Sequence, residues 1–242
     1  MQPIFLTAEW RNLIMANYLI APEALKPYVP NGVELDLWQG RCYISLVGFL
    51  FVNTKVKGIS IPFHRNFEEV NLRFYVKHHD GEQWKRGVVF IREIVPRHAI
   101  TLVANTLYGE HYLTLPMRHT WRQQSGQLEV GYEWKIGGQW NCFSVLADPQ
   151  AIPLAEGSEE QFITEHFWGY TGLKGGRTSE YQVEHPSWRV HPVQTYRIDC
   201  DAARLYGPAF AEAMAQEPFS VFLAEGSEVL VRGGRRLGAK AS

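Results

Sequence analysis

Residues 67–77 read Phe-Glu-Glu-Val-Asn-Leu-Arg-Phe-Tyr-Val-Lys, an alternation of polar and apolar positions with period two. In an extended strand successive side chains point to opposite faces. Glu69, Asn71, Arg73, Tyr75 and Lys77 therefore share one side, and Val70, Leu72, Phe74 and Val76 share the other. The polar ladder either faces water, as on a half-buried antiparallel sheet, or lines a cavity where carboxylate, amide and guanidinium converge on a ligand. By pattern alone the solvated face comes first, since antiparallel sheets commonly wet one side.

The same period and an abundance of β-branched and aromatic residues predict strands over 42–52, 68–78, 86–95, 111–118, 127–135 and 140–146. Further strands are expected over 179–185 and 190–198, with 219–224 and 228–231 as a closing hairpin. His79-Asp80-Gly81-Glu82 and Gly137-Gly138 read as hairpin loops, and Pro30-Asn31-Gly32 as a turn. Helices are fewer. Pro22 near a first turn starts one at Ala21–Leu25. Ile100, Val103, Ala104 and Leu107 at helical spacing predict one over 97–108. Ser158-Glu159-Glu160-Gln161 is a capping-box pattern opening a helix over 158–168, and 208–216 reads as a short one. The pattern as a whole predicts one α+β domain over 1–231. It is mainly antiparallel β, a curved or closed barrel with a few peripheral helices, followed by a basic, Gly-rich, flexible tail over 232–242.

Charge narrows the partners. Lys plus Arg total 24 against 25 for Asp plus Glu, so no general electrostatic pull toward nucleic acid exists. The N-terminus carries no basic segment leading into a long apolar run, and no apolar stretch reaches the ~18 residues of a membrane span. A soluble, cytoplasmic protein without membrane partners is expected. Cys42, Cys142 and Cys200 are widely spaced and odd in number, which fits reduced thiols. The chain lacks Gly-x-Gly-x-x-Gly, a Gly-Lys-Ser/Thr phosphate loop, a Gly-x-Ser-x-Gly elbow and a His-Glu-x-x-His pair, so no cofactor is called for. The nine histidines do not suggest a metal site, because His78 and His79 fall at a turn and His185 and His191 each precede a proline.

Three motifs in order carry a family resemblance: Pro22-Glu23-Ala24-Leu25-x-Pro27, then Phe67-x-Glu69-x-Asn71-x-Arg73-x-Tyr75-Val76, then Glu184-His185-Pro186-x-Trp188. Over residues 10–231 the chain resembles the YqjF-like family of uncharacterised bacterial proteins. That family is in turn similar to acetoacetate decarboxylase, whose fold is a curved antiparallel barrel around a buried small-molecule pocket. The resemblance turns the ladder inward. Acetoacetate decarboxylase works through a Schiff-base lysine with a second lysine beside it, in a Pro-Lys-Lys stretch. Alignment of the helix ends places His111-Tyr112-Leu113 over that stretch, so the resemblance implies Tyr112 where the reactive amine would be. It also implies Arg11 as the arginine that holds a substrate carboxylate, and Glu69 as the pocket glutamate.

These residues suggest Glu69 and Tyr112 for acid–base work and Arg11, Asn71, Arg73, His185 and Trp188 for contact with a small organic carboxylate or oxo-acid. Each has a structural alternative. Arg11 and Glu69 could form an ion pair, Asn71 and Arg73 could be cross-strand partners, Tyr112 could send its hydroxyl to the surface, and His185 and Trp188 could shape a turn. Three functions stay open: noncovalent hydratase, isomerase or lyase chemistry; ligand binding without catalysis; and a structural homo-oligomer with an empty pocket.

Overall fold

The computed structural model describes residues 2–105 and 109–237, the Val103 side chain excepted. The first half of the chain supplies most of a large sheet: β1 (Ile4–Leu19), β2 (Glu34–Leu35), β3 (Tyr43–Val56), β4 (Phe67–His79), β5 (Trp84–Val95) and β6 (Tyr112–Thr114). β7 (Met117–Gln124), β8 (Gln127–Ile136) and β9 (Gln139–Ala147) start a second, antiparallel sheet. β10 (Ile152–Pro153), β11 (Trp168–Leu173), β12 (Arg177–Glu184) and β13 (Arg189–His191) return to the first, and β14 (Val193–Asp199) completes the second. β15 (Ser220–Arg232) and β16 (Arg235–Leu237) end the large sheet. The helices are short: α1 (Pro22–Leu25), α2 (His98–Val103), α3 (Glu159–Thr164), α4 (Ala202–Tyr206) and α5 (Pro208–Met214). None is long and apolar enough to cross a membrane.

The large sheet curls on itself. Its path runs β15-β1-β3-β4-β5-β11-β12, and β12 meets β15 again through Val183↔Val231 and Glu184↔Leu230, so seven strands make a near-closed ring. Most pairings are antiparallel; β5 runs parallel to both β6 and β11. The smaller sheet lies against the ring's outside. Val70, Leu72, Phe74 and Val76 of β4 share one core with Leu128, Val130, Tyr132, Trp134, Phe143 and Val145 of β8 and β9. A second core fills the ring itself, with Leu13, Met15, Val47, Phe49, Phe51, Phe67 and Tyr75 among its members. Both faces of β4 are thus buried, and the ladder points into the ring. The solvated default fails because the ring closes over the polar face, while the second sheet covers the apolar one.

Several expected elements change. The 111–118 strand splits at Leu115-Pro116 into β6 of one sheet and β7 of the other, and the 190–198 strand splits at Pro192 into β13 and β14. Proline lacks the N–H a continuous ladder needs. The 158–168 helix is only α3, capped by the Ser158 hydroxyl accepting from the Gln161 N–H, because Trp168 onward pairs as β11. The 97–108 helix is seen as α2; residues 106–108 lie outside the described part. The closing hairpin is one continuous strand, β15, which follows β1 along its length. Of the tail, Arg235–Leu237 pairs with Thr178–Glu180 of β12; residues 238–242 lie outside the described part.

A bulge in β1 governs what enters the ring. Asn12 takes a left-handed φ of 56°, and the pairing with β3 shifts between Arg11 and Ile14. An extra residue reverses the inside–outside phase of the strand. Ala8 and Trp10 before it, and Leu13 and Met15 after it, all belong with the inner core, while Ile14 and Ala16 belong with the outer. Gly226, opposite Arg11 at φ 77°, makes room: a Cβ there would collide with the Trp10 carbonyl.

Candidate functional site

Inside the ring is a cavity of about 320 Å³, within the range of small-molecule sites. The ladder supplies its polar wall through Glu69, Asn71 and Arg73. β5 adds Glu93, paired in register with Asn71, and β6 adds Tyr112, paired with Glu93. Tyr112 is held from behind: its N–H donates to Asn105 Oδ1 (2.7 Å), its carbonyl accepts from Asn105 Nδ2 (3.0 Å), and Thr101 of α2 bonds Thr114 of β6 (2.6 Å). Glu110, just before β6, completes a set of three carboxyl groups with Glu69 and Glu93.

Glu69 is buried, at 3% exposure. Its Oε1 accepts from Asn71 Nδ2 (2.9 Å) and its Oε2 from the Tyr112 hydroxyl (3.2 Å). Burial pushes its pKa up to about 7 against those two hydrogen bonds and the Arg73 charge, all of which favour the carboxylate. Glu110 is also raised to about 7, by burial opposed by a hydrogen bond from Thr171 (2.7 Å). Burial and then the charges of Glu110 and Glu69 keep Glu93 well above the usual carboxylate range, and burial does the same for the Tyr112 phenol. Glutamates so placed exchange protons near neutrality, where an acid–base catalyst is most effective. Among the described residues no group of three or more His, Cys, Asp or Glu is arranged to hold a metal ion.

Arg73 is the cationic member of the wall. Its Nη2 donates to the Ile163 carbonyl (3.2 Å), its Nε is buried without a partner, and no carboxylate lies within ion-pair distance of it among the described residues. Among the described residues, Asn71 Oδ1 and Glu93 Oε2 are likewise buried without a hydrogen-bond partner. At the cavity's inner end, His166 Nε2 bonds Asp36 Oδ2 (3.1 Å), which also accepts from Arg86 Nε (2.6 Å). Burial opposes the Asp36 charge, but the bonds from His166 and Arg86 outweigh it and hold this carboxyl below its usual range. Burial drops His166 to about 4, so its ring is neutral, with the proton on the nitrogen facing Asp36.

Arg11 stands apart from this wall. The bulge at Asn12 turns it to the outer side, where it pairs with Glu9 (2.7 Å), reaches the Gly226 carbonyl and stays 41% exposed. It makes no ion pair with Glu69. His185 and Trp188 do line the cavity, stacked at 4.2 Å between ring centroids, with Trp188 Nε1 donating to Ser227 Oγ (2.9 Å). Glu93, Glu110 and His166 are wall residues that the sequence patterns did not single out. A glutamate beside Ile94 and Val95 was the one visible sign of Glu93, whereas Glu110 follows a helix end and His166 sits in what reads as an amphipathic helix face.

Residues 7–228 match the family model of DUF2071, described as an uncharacterized conserved protein (COG2071). The chain belongs to that family. It is 28% identical over 182 residues to the uncharacterized protein YqjF of Bacillus subtilis (strain 168), covering 74% of this chain and 72% of that one. Among solved structures, this DUF2071 member is similar to the enduracididine biosynthesis enzyme MppR complexed with pyruvate, at TM-score 0.66 and 12% identity over 100% of this chain and 93% of the other. An acetoacetate decarboxylase-like enzyme from Sphingomonas wittichii RW1 superposes with TM-score 0.66 and 11% identity, covering 98% and 94%. The acetoacetate decarboxylase of Legionella pneumophila gives 0.64 and 11%, covering 100% and 90%. What is shared at these identities is the fold.

Proposed function

We propose that the ring cavity binds a small organic carboxylate or oxo-acid and moves a proton on it through Glu69 and Tyr112, in noncovalent chemistry of the hydratase, isomerase or lyase kind. The observation that carries this reading is Glu69, fully enclosed and poised to change protonation near pH 7 between a phenol, an amide and a guanidinium. Arg73 is partly buried, with its Nε unpartnered and no carboxylate in ion-pair contact among the described residues, and a ligand carboxylate would supply that contact in bidentate geometry. The cavity wall among the described residues contains no lysine, which supports the reading that puts Tyr112 where the reactive amine would be. Lys85 lies in a neighbouring hollow, engaged by Asp80 (3.0 Å) and Glu180 (3.6 Å). That a structural relative carries pyruvate makes pyruvate a natural probe.

Two measurements test the proposal. In titration calorimetry with pyruvate, Arg73→Gln weakens binding about tenfold or more, the worth of a charge-assisted hydrogen bond, while Arg11→Ala leaves it unchanged. In deuterium oxide, proton NMR shows the protein accelerating exchange of the pyruvate methyl protons, and Glu69→Gln abolishes that acceleration while retaining binding. Equal affinity in Arg73→Gln and wild type removes the anchor; undiminished exchange in Glu69→Gln removes the base.

A further inference from the structure

The cavity has a polar end and an apolar end, and strand register orders them. Along β4 and β3 the inward residues pair as Arg73 with Ser45, Asn71 with Val47, Glu69 with Phe49, and Phe67 with Phe51. On β1, Trp10 pairs with Phe51 and Leu6 with Val56. Moving away from Arg73 one therefore meets Asn71 with Glu93 and Tyr112, then Glu69, then a layer of aromatic rings. Phe51 stacks on Phe67 with centroids 4.6 Å apart, and Trp10 packs edge-on against Phe49 at 5.3 Å and Phe51 at 5.8 Å. Beyond them the wall continues through Leu6, Val56 and Val231 to Ile61 in the loop between β3 and β4. α2, which follows the end of β5 past the Glu69 level, contributes Ile100.

This outer end is mostly apolar where it meets water; Thr54, His64 and Arg232, the last paired with Glu184, are the polar residues near these positions in the lining. Ile61 is 45% exposed, and near it in the same loop Ile59 is 69% and Phe63 86% exposed; Leu102 of α2 is 68% exposed. An exposed Ile61 at the end of an apolar wall, with further exposed apolar side chains in its own loop, marks a binding surface. A molecule of pyruvate's size held at Arg73 would occupy only the polar end and leave the aromatic layer and the rim without contact.

We infer that the ligand is an oxo- or carboxylic acid with an apolar tail, aliphatic of medium length or aryl, its head at Arg73, its reacting carbons beside Glu69 and Tyr112, and its tail along Phe49, Phe51, Trp10 and Phe67 toward Ile61. This class rests on the reading of Arg73 as the anchor. Each methylene moved from water into such a channel tightens binding about fourfold, the equivalent of ~0.8 kcal/mol.

The test is calorimetry with pyruvate, 2-oxobutanoate, 2-oxohexanoate, 2-oxooctanoate, phenylpyruvate and octan-2-one, on wild type, Ile61→Ser and Arg73→Gln. Affinity rises about fourfold per methylene until the tail reaches the mouth, and phenylpyruvate binds more tightly than pyruvate. Ile61→Ser, a change at a half-exposed site outside the core, weakens 2-oxooctanoate severalfold and leaves pyruvate unaffected. A series flat in chain length while pyruvate binds and Arg73→Gln weakens it overturns the tail and spares the anchor. If octan-2-one binds as tightly as 2-oxooctanoate and Arg73→Gln loses nothing, the anchor falls and the acid class with it. If none of the acids binds, both readings fall together.

Discussion

Glu69 and Tyr112 are both shifted from their usual protonation behaviour for one reason, their burial. The Tyr112 hydroxyl donates to Glu69 Oε2, a bond that favours the charged carboxylate, so removing it moves Glu69 further up. Tyr112→Phe is therefore expected to raise the Glu69 pKa above about 7, and Asn71→Leu to do the same by deleting the bond to Oε1. Carbon-13 NMR of labelled glutamate carboxyls, read against the loss of the Glu69 signal in Glu69→Gln, checks the direction; a lower midpoint in either variant contradicts it. At this scale the sequence was informative only in part. The period-two spacing brought Glu69, Asn71 and Arg73 to one face, because strand geometry is local. Arg11 sat one bulge away from the position expected, and a bulge depends on the partner strands rather than on the residue itself.

At the scale of elements, alternation identified the long strands well, and prolines identified where they had to break. β3, β4, β5, β8 and β9 lie within a few residues of their expected limits, since each buries an apolar face that repeats every second residue. β11 escaped because Gly169, Thr171 and Gly172 give it no clear period and its pairing with β5 and β12 is long-range. β15 read as a hairpin because Gly226 resembles a turn, whereas it matches the bulge in β1. The two sheets meet closely at one point. Gly48 of β3 lies under Tyr132 of β8, where a Cβ would come within 2.7 Å of the ring, and the Tyr132 hydroxyl donates to the Asn12 carbonyl (2.8 Å). Gly48→Ala is expected to destabilise the fold by about 1–3 kcal/mol through overpacking. Urea denaturation measures it, and a variant as stable as wild type shows that the sheets can part without cost.

For the molecule as a whole, the ring concentrates acids away from bulk solvent, and its stability must follow their protonation. Glu69, Glu93 and Glu110 have folded-state pKa values raised above the unfolded ones, so the stability they contribute is complete below about 4.5 and is lost as pH climbs through about 7 and beyond. His166, lowered to about 4, acts the opposite way but only below its unfolded value near 6.5. Between pH 6.5 and 8 the carboxyls therefore set the slope, helped by His119, whose imidazole is raised by the hydrogen bond it donates to Glu68. Melting temperature is expected to fall across that window, and Glu69→Gln with Glu110→Gln to flatten the fall; an unchanged slope in the double variant would show the acids to be ordinary ones.

The ring is not equally strong all the way round. β1 and β15 are joined at twelve registered positions, whereas β5 meets β11 at two and β12 meets β15 at two. β11 and β12, fastened to each other at six positions, thus form a panel hung on those two narrow seams and on the three positions where β12 meets the short β16. That panel carries Trp168, Tyr181 and Val183 into the cavity. Enlarging the chamber by swinging the panel breaks few backbone hydrogen bonds, while enlarging it on the β1 side breaks many, so the enclosure is a rigid cradle with one compliant wall.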